Sequence, residues 1–192
     1  MQRTRLIVAV LSLSLGACSV QRERTVSLEL IRKPTPEHKL LLEGVGTWEG
    51  TITSWGMPGA PPEGLTLPAR ETVEPVGEYF TQTRFTCEFP GMPYLGMGCM
   101  GYDPIYERLV GTWFDNTTSY LAGMQGLMDV KNRRSVVYFE LPDETTGVLT
   151  VHRIETEFGT DTFKSTFFKG DGEGTRTMVI AMKRVGKAPT AK

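Results

Sequence analysis

Histidine is scarce in this chain, with only His38 and His152 among 192 residues, and cysteine is nearly as rare at three. Histidine is a frequent catalytic base and the commonest metal ligand, so two copies narrow both chemistries at once. No HExxH or CxxC spacing occurs, nor a G-x-S-x-G elbow, which leaves metal, thiol-redox and α/β-hydrolase readings without a motif. A Ser-His-Asp site around His152 with Asp115 as orienter can be drawn on paper, but any barrel supplies such residues, and no catalytic residue is assigned. An excess of one charge is also lacking: 21 Lys and Arg face 22 Asp and Glu, scattered along the chain. Without a basic stripe or an aromatic RNA-reading motif, nothing points to nucleic acid. After residue 18 no apolar run is long enough for a transmembrane helix.

The one sustained apolar run opens the chain. Arg3 and Arg5 precede an apolar stretch from Leu6 to Leu15, and Leu15-Gly16-Ala17-Cys18 follows. That order of charge, apolar core, small residues and cysteine is the pattern of a cleaved export signal, too short to remain as a span. The segment resembles the lipobox of bacterial lipoproteins. The resemblance implies cleavage after residue 17, acylation of Cys18 with a palmitate-type chain, and a lipid anchor as the contact with the membrane. Ser19, rather than an aspartate, follows the cysteine, which by the same resemblance implies the outer membrane, with the domain facing the periplasm. Loss of Arg3 and Arg5 would take the formal charge from −1 to −3.

Residues 18–33 then read as a polar tether in which Val26, Leu28 and Leu30 alternate as in a short strand. Thr35-Pro36 is an N-cap followed by an N1 proline, and a short helix closes at Gly44 as C′. From Gly46 the pattern changes to period-two alternation broken by turn residues. Ten strands are predicted at 47–55, 67–76, 79–88, 94–102, 108–115, 119–128, 135–141, 148–158, 162–169 and 175–184. Pro90-Gly91, Asp103-Pro104, Asp115-Asn116, Pro142-Asp143 and Asp171-Gly172 punctuate them with turn chemistry. Connections this short favour antiparallel neighbours. The exception, residues 56–66, is rich in Pro and Gly and is a candidate lid. Ten antiparallel strands leave two bare edges unless the sheet closes, so the expected fold is an all-β, up-and-down barrel over residues 34–186, with a β-sandwich as the alternative. Residues 187–192 read as a disordered tail.

Gly46-Thr47-Trp48, after a short helix, resembles the G-x-W opening of lipocalin and calycin barrels, whose last strand places a basic residue across the indole. Met178, Ile180, Met182 and Arg184 share one strand face, so that resemblance pairs Arg184 with Trp48 as a barrel-closing cation–π contact. His38-Lys39-Leu40, Gly46-Thr47-Trp48-Glu49-Gly50, Gly98-Cys99-Met100-Gly101-Tyr102-Asp103, Trp113-Phe114-Asp115 and Gly123 together resemble a bacterial domain family of unknown function, DUF1579. That resemblance carries a fold expectation and no activity.

His152 lies in an alternating run with Val148, Thr150, Ile154, Thr156 and Phe158, an expected inward face. A lumenal histidine on a late strand resembles the haem-binding calycin barrels related to nitrobindin, although Ile52 and Ser54 stand where those relatives continue with glycines. The preferred reading is a core or pocket histidine with no cofactor, haem being the alternative. Cys87 and Cys99 lie at equal distances from Pro93, and a simple hairpin there would oppose them as a disulfide. Methionines at 97, 124, 128, 178 and 182 suit either a filled core or an adaptable pocket. The candidate lumen set is Phe85, Trp113, Tyr120, Met124, His152, Phe163, Met178 and Met182. Together these motivate a barrel that binds a small apolar or amphipathic molecule; a non-catalytic structural or interaction protein of the envelope is the alternative, and a haem-binding or hydrolytic barrel using His152 a further one. No metal site is expected, and oligomeric state is not legible.

Overall fold

The computed structural model describes residues 25–56, 60–143, 146–170 and 172–186. The signal segment, Cys18 and the tail lie outside the described residues, as does part of the candidate lid. Two short helices, α1 (Leu28–Arg32) and α2 (Pro36–Glu43), precede ten strands among these residues. The strands are β1 (Gly46–Ser54), β2 (Leu65–Val76), β3 (Phe80–Phe89), β4 (Met92–Asp103), β5 (Arg108–Asp115), β6 (Ala122–Asp129), β7 (Arg134–Pro142), β8 (Leu149–Phe158), β9 (Thr162–Lys169) and β10 (Thr175–Gly186). Each pairs antiparallel with its neighbour in sequence, and β10 returns to pair with β1, so the sheet is a closed up-and-down barrel. Closure gives every strand two partners and removes the bare edges that ten strands would otherwise expose.

The alternation sorts side chains to two faces. Inward on β1 are Trp48 and Ile52, buried, while Glu49 and Thr51 face out. Outward register positions around the wall include Arg70, Arg84, Arg134, Glu157, Lys164 and Lys183. The same outer face also carries the exposed Phe114 and Leu127. No helix among the described residues is long and apolar enough to cross a membrane.

The strongest buried cluster lies where the barrel closes. Trp48, Ile52, Ala69, Val73, Phe85, Cys87, Ile180 and Met182 come from β1, β2, β3 and β10. At that end Trp48 donates its indole N–H to the Gly44 carbonyl at 2.9 Å. The Arg184 guanidinium stacks 4.1 Å from the indole centroid. It also donates to the carbonyls of Val45 and Glu43 and, at 3.1 Å, to the Asp161 carboxylate. Arg184 therefore ties the end of α2, the start of β1 and the β8–β9 turn around one indole. Gly46 has to be glycine here: its φ is +150°, and a Cβ would meet an Arg184 nitrogen at 2.6 Å and the Gly186 carbonyl at 2.8 Å.

Helix α2 plugs the same end through His38, which is buried and held edge-on between Tyr79 and Tyr102 at 5.5 and 5.7 Å. The Thr35 N–H donates to His38 Nδ1 at 3.0 Å, so this nitrogen is the unprotonated one. Burial lowers the His38 pKa, consistent with a neutral ring.

Three local expectations are corrected. Residues 28–32 form the helical turn α1 rather than a short strand, and none of them is buried. Gly44 caps α2 in a right-handed conformation, φ −70°, so its left-handed freedom is unused. Strand β6 begins at Ala122 rather than 119, because residues 116–121 are spent on the turn that leaves β5.

Candidate functional site

The ladder registers place the inner wall residue by residue. Phe85, Trp113, Met124, His152, Phe163, Met178 and Met182 all occupy inward positions. Tyr120 does not: it lies half-buried in the segment before β6, off the wall. Met97 faces outward beside Phe114. Phe85 and Met182 are buried, but Trp113, Met124, His152, Phe163 and Met178 are only half-buried although they point inside, as do Phe139 and Phe167. These inward side chains therefore keep some accessible surface inside the wall or at its open ends.

On one side of the wall a polar chain runs through the aromatics. Trp113 donates its indole N–H to the Tyr94 hydroxyl at 3.3 Å, and that hydroxyl donates to Asp115 Oδ2 at 3.2 Å. Tyr94 also meets Phe85 and Phe89 edge-on, with centroids 6.1 and 5.6 Å away. Gly96 leaves the room that Trp113 occupies, since a side chain there would enter the indole ring. Burial pushes the Tyr94 pKa up, so its hydroxyl stays protonated and remains a donor. The other Asp115 oxygen closes a turn by accepting the Thr117 N–H at 2.8 Å. Asp103 closes the β4–β5 turn in the same way, through Ile105 and Tyr106. Across the barrel His152 stacks on Phe139 at 5.4 Å and faces Lys169 in the register. Burial and the Lys169 charge both lower its pKa. Among the described residues no group of three or more potential ligands could hold a metal ion.

The disulfide expectation is overturned. The β3–β4 hairpin turns at Pro90-Gly91, which pairs Cys87 with Tyr94 and Cys99 with Gln82. Cys87 faces inward and is buried, Cys99 faces outward, and both are free thiols. Burial raises the Cys87 pKa to about 11.

One wall residue was missed in the sequence. Glu71 sits on β2 between the buried Ala69 and Val73 and is paired in register with Trp48 on one side and Phe85 on the other. Its carboxyl makes no hydrogen bond or ion pair with the described residues, and enclosure by this apolar surface raises its pKa to about 7. The signal was present: Leu67, Ala69, Glu71 and Val73 share one phase of an alternating strand, so a glutamate stands in the inward set.

Fold and wall together define a closed barrel with an aromatic interior and, among the described residues, one unpaired inward acid. The chain belongs to the family described as a protein of unknown function (DUF1579), whose model matches residues 33–184. No curated protein matches. Fourteen chains of solved structures do. Among them is a redesigned β-barrel, 14% identical, covering 78% of this chain and 96% of its own, with a TM-score of 0.41.

Proposed function

We propose that this barrel is a binding protein that holds a small amphipathic molecule in its lumen, without a catalytic step, and that acylated Cys18 tethers it to the periplasmic face of the outer membrane. The observation that carries the binding reading is the half-buried state of Trp113, Met124, Phe139, His152, Phe163, Phe167 and Met178 on the inward face. Filled cores bury such side chains almost completely, because an aromatic left partly uncovered forfeits contacts worth several kcal/mol in all. Larger barrels characteristically enclose ligands. The mixture of flexible thioethers, aromatic rings and a few polar groups is the usual lining of a small-molecule site.

The anchoring reading rests on the Leu15-Gly16-Ala17-Cys18 pattern. A charged outer wall fits a domain that stays in water beside the membrane.

Titration with Nile red, a neutral dye that brightens in apolar surroundings, tests the binding reading. Saturable binding at one dye per barrel, reversed by dodecanol, is the expected result. A barrel that leaves the dye dark refutes it.

A further inference from the structure

Four charged side chains occupy inward register positions on the described strands: Glu71, Asp115, Lys169 and Arg184. Three are already engaged. Lys169 bonds Asp143 at 2.7 Å, Arg184 bonds Asp161 and backbone carbonyls, and Asp115 accepts from Tyr94 and Thr117. Glu71 is left over, and the cation nearest in the register cannot serve it, since Arg184 is spent on the far side of Trp48. A carboxyl that displaces an apolar side chain from a buried register position costs stability and gives the fold nothing in return.

Resting on the lumen reading above, we propose that the molecule bound in the barrel carries a positive charge, an amine or quaternary ammonium on an apolar body, and that Glu71 receives that charge. The surroundings suit an organic cation on two counts. Cross-strand neighbours stand about 5 Å apart, which puts the Phe85 ring within reach of a group bound at Glu71, and Tyr94 and Trp113 extend the aromatic surface beyond it. Aromatic faces attract alkylammonium groups, the more so when water is excluded. An anionic amphiphile fits poorly, because among the described residues the pairing of Lys169 and Arg184 leaves no free inward cation for its carboxylate, and Glu71 would repel it.

Binding a cation favours the ionised acid. Because Glu71 titrates near neutrality, complex formation below about pH 7 releases a proton, and affinity rises with pH until the acid is ionised in the free barrel.

Displacement of Nile red by dodecyltrimethylammonium, dodecanol and dodecanoate separates the possibilities, since the three share one tail. On the unmodified protein at about pH 8 the cation should bind at least about tenfold tighter than the alcohol, the scale of one desolvated cation–π contact plus a charge pair. Glu71→Gln should erase that advantage while leaving dodecanol unchanged. The proposal is overturned if dodecanol or dodecanoate matches the cation, or if Glu71→Gln keeps the preference. Those results leave the lumen reading standing, whereas failure of Nile red itself to bind removes both.

Discussion

Glu71→Gln should stabilise the protein at alkaline pH, an unusual outcome for removing a charge. The folded pKa of Glu71, about 7, lies above its ordinary value of 4.5, so between these values the folded state holds a proton that the unfolded state has lost. Stability from this group is therefore fully present below about pH 4.5, falls as pH rises through the window, and is constant again above about pH 7. Each pH unit is worth about 1.4 kcal/mol, which sets an upper bound of about 3.5 kcal/mol on the cost of ionising Glu71 in the barrel. The side chain keeps some accessible surface, so water inside the lumen will reduce that figure. Glutamine preserves the shape and never ionises. Urea unfolding of the two proteins should give nearly equal free energies at about pH 4.5, with the variant pulling ahead by about 1–3 kcal/mol at about pH 8. His38 and His152, whose pKa values are lowered, contribute the opposite slope below pH 6.5, but both proteins contain them and the difference cancels the effect. Parallel pH profiles would refute the reasoning. So would a wild type that gains on the variant as pH rises, since that would mean a partner stabilises the carboxylate.

Trp48→Ala should cost about 3–5 kcal/mol in chemical denaturation, because it empties a buried site and orphans the Gly44 carbonyl. Arg184→Ala should cost at least about 2 kcal/mol by leaving the Glu43 and Val45 carbonyls without their donor, and the two changes should couple by about 1–2 kcal/mol in a double-mutant cycle. With a thiol reagent at about pH 8, Cys99 should react in the native protein and Cys87 only after unfolding, while intact mass without reductant shows no internal disulfide. Cys18→Ala should move the protein from the membrane fraction to the soluble one; retention would refute the lipid anchor.

The strand plan was legible because local chemistry wrote it. Period-two alternation marks a half-buried strand whatever its partner, and Pro90-Gly91, Asp103-Pro104 and Asp115-Asn116 turn the chain through their own side chains and fixed dihedrals. That is why β5 begins and ends where the sequence places it. The same alternation put seven of the eight candidate lumen residues on the inner wall. The cysteine pairing failed for a reason internal to the same rule. Centring the hairpin on Pro93 and centring it on Pro90-Gly91 differ by a few residues, but the second choice makes paired numbers sum to an odd total, so Cys87 and Cys99 fall on opposite faces. Glu71 differs: its phase with Leu67, Ala69 and Val73 marked it as inward, but what it faces, Trp48 and Phe85, is supplied by other strands.

Sequence alone was thus sufficient for the ten strands and most of their faces, which depend on patterns spanning a few residues, and for the family resemblance. Closure of β10 onto β1, the capture of Arg184 by carbonyls nearly the whole domain away, and the isolation of Glu71 depend on groups far apart along the chain. Charge, pairing and hydration are properties of a surrounding volume, and that volume exists only once the barrel has closed.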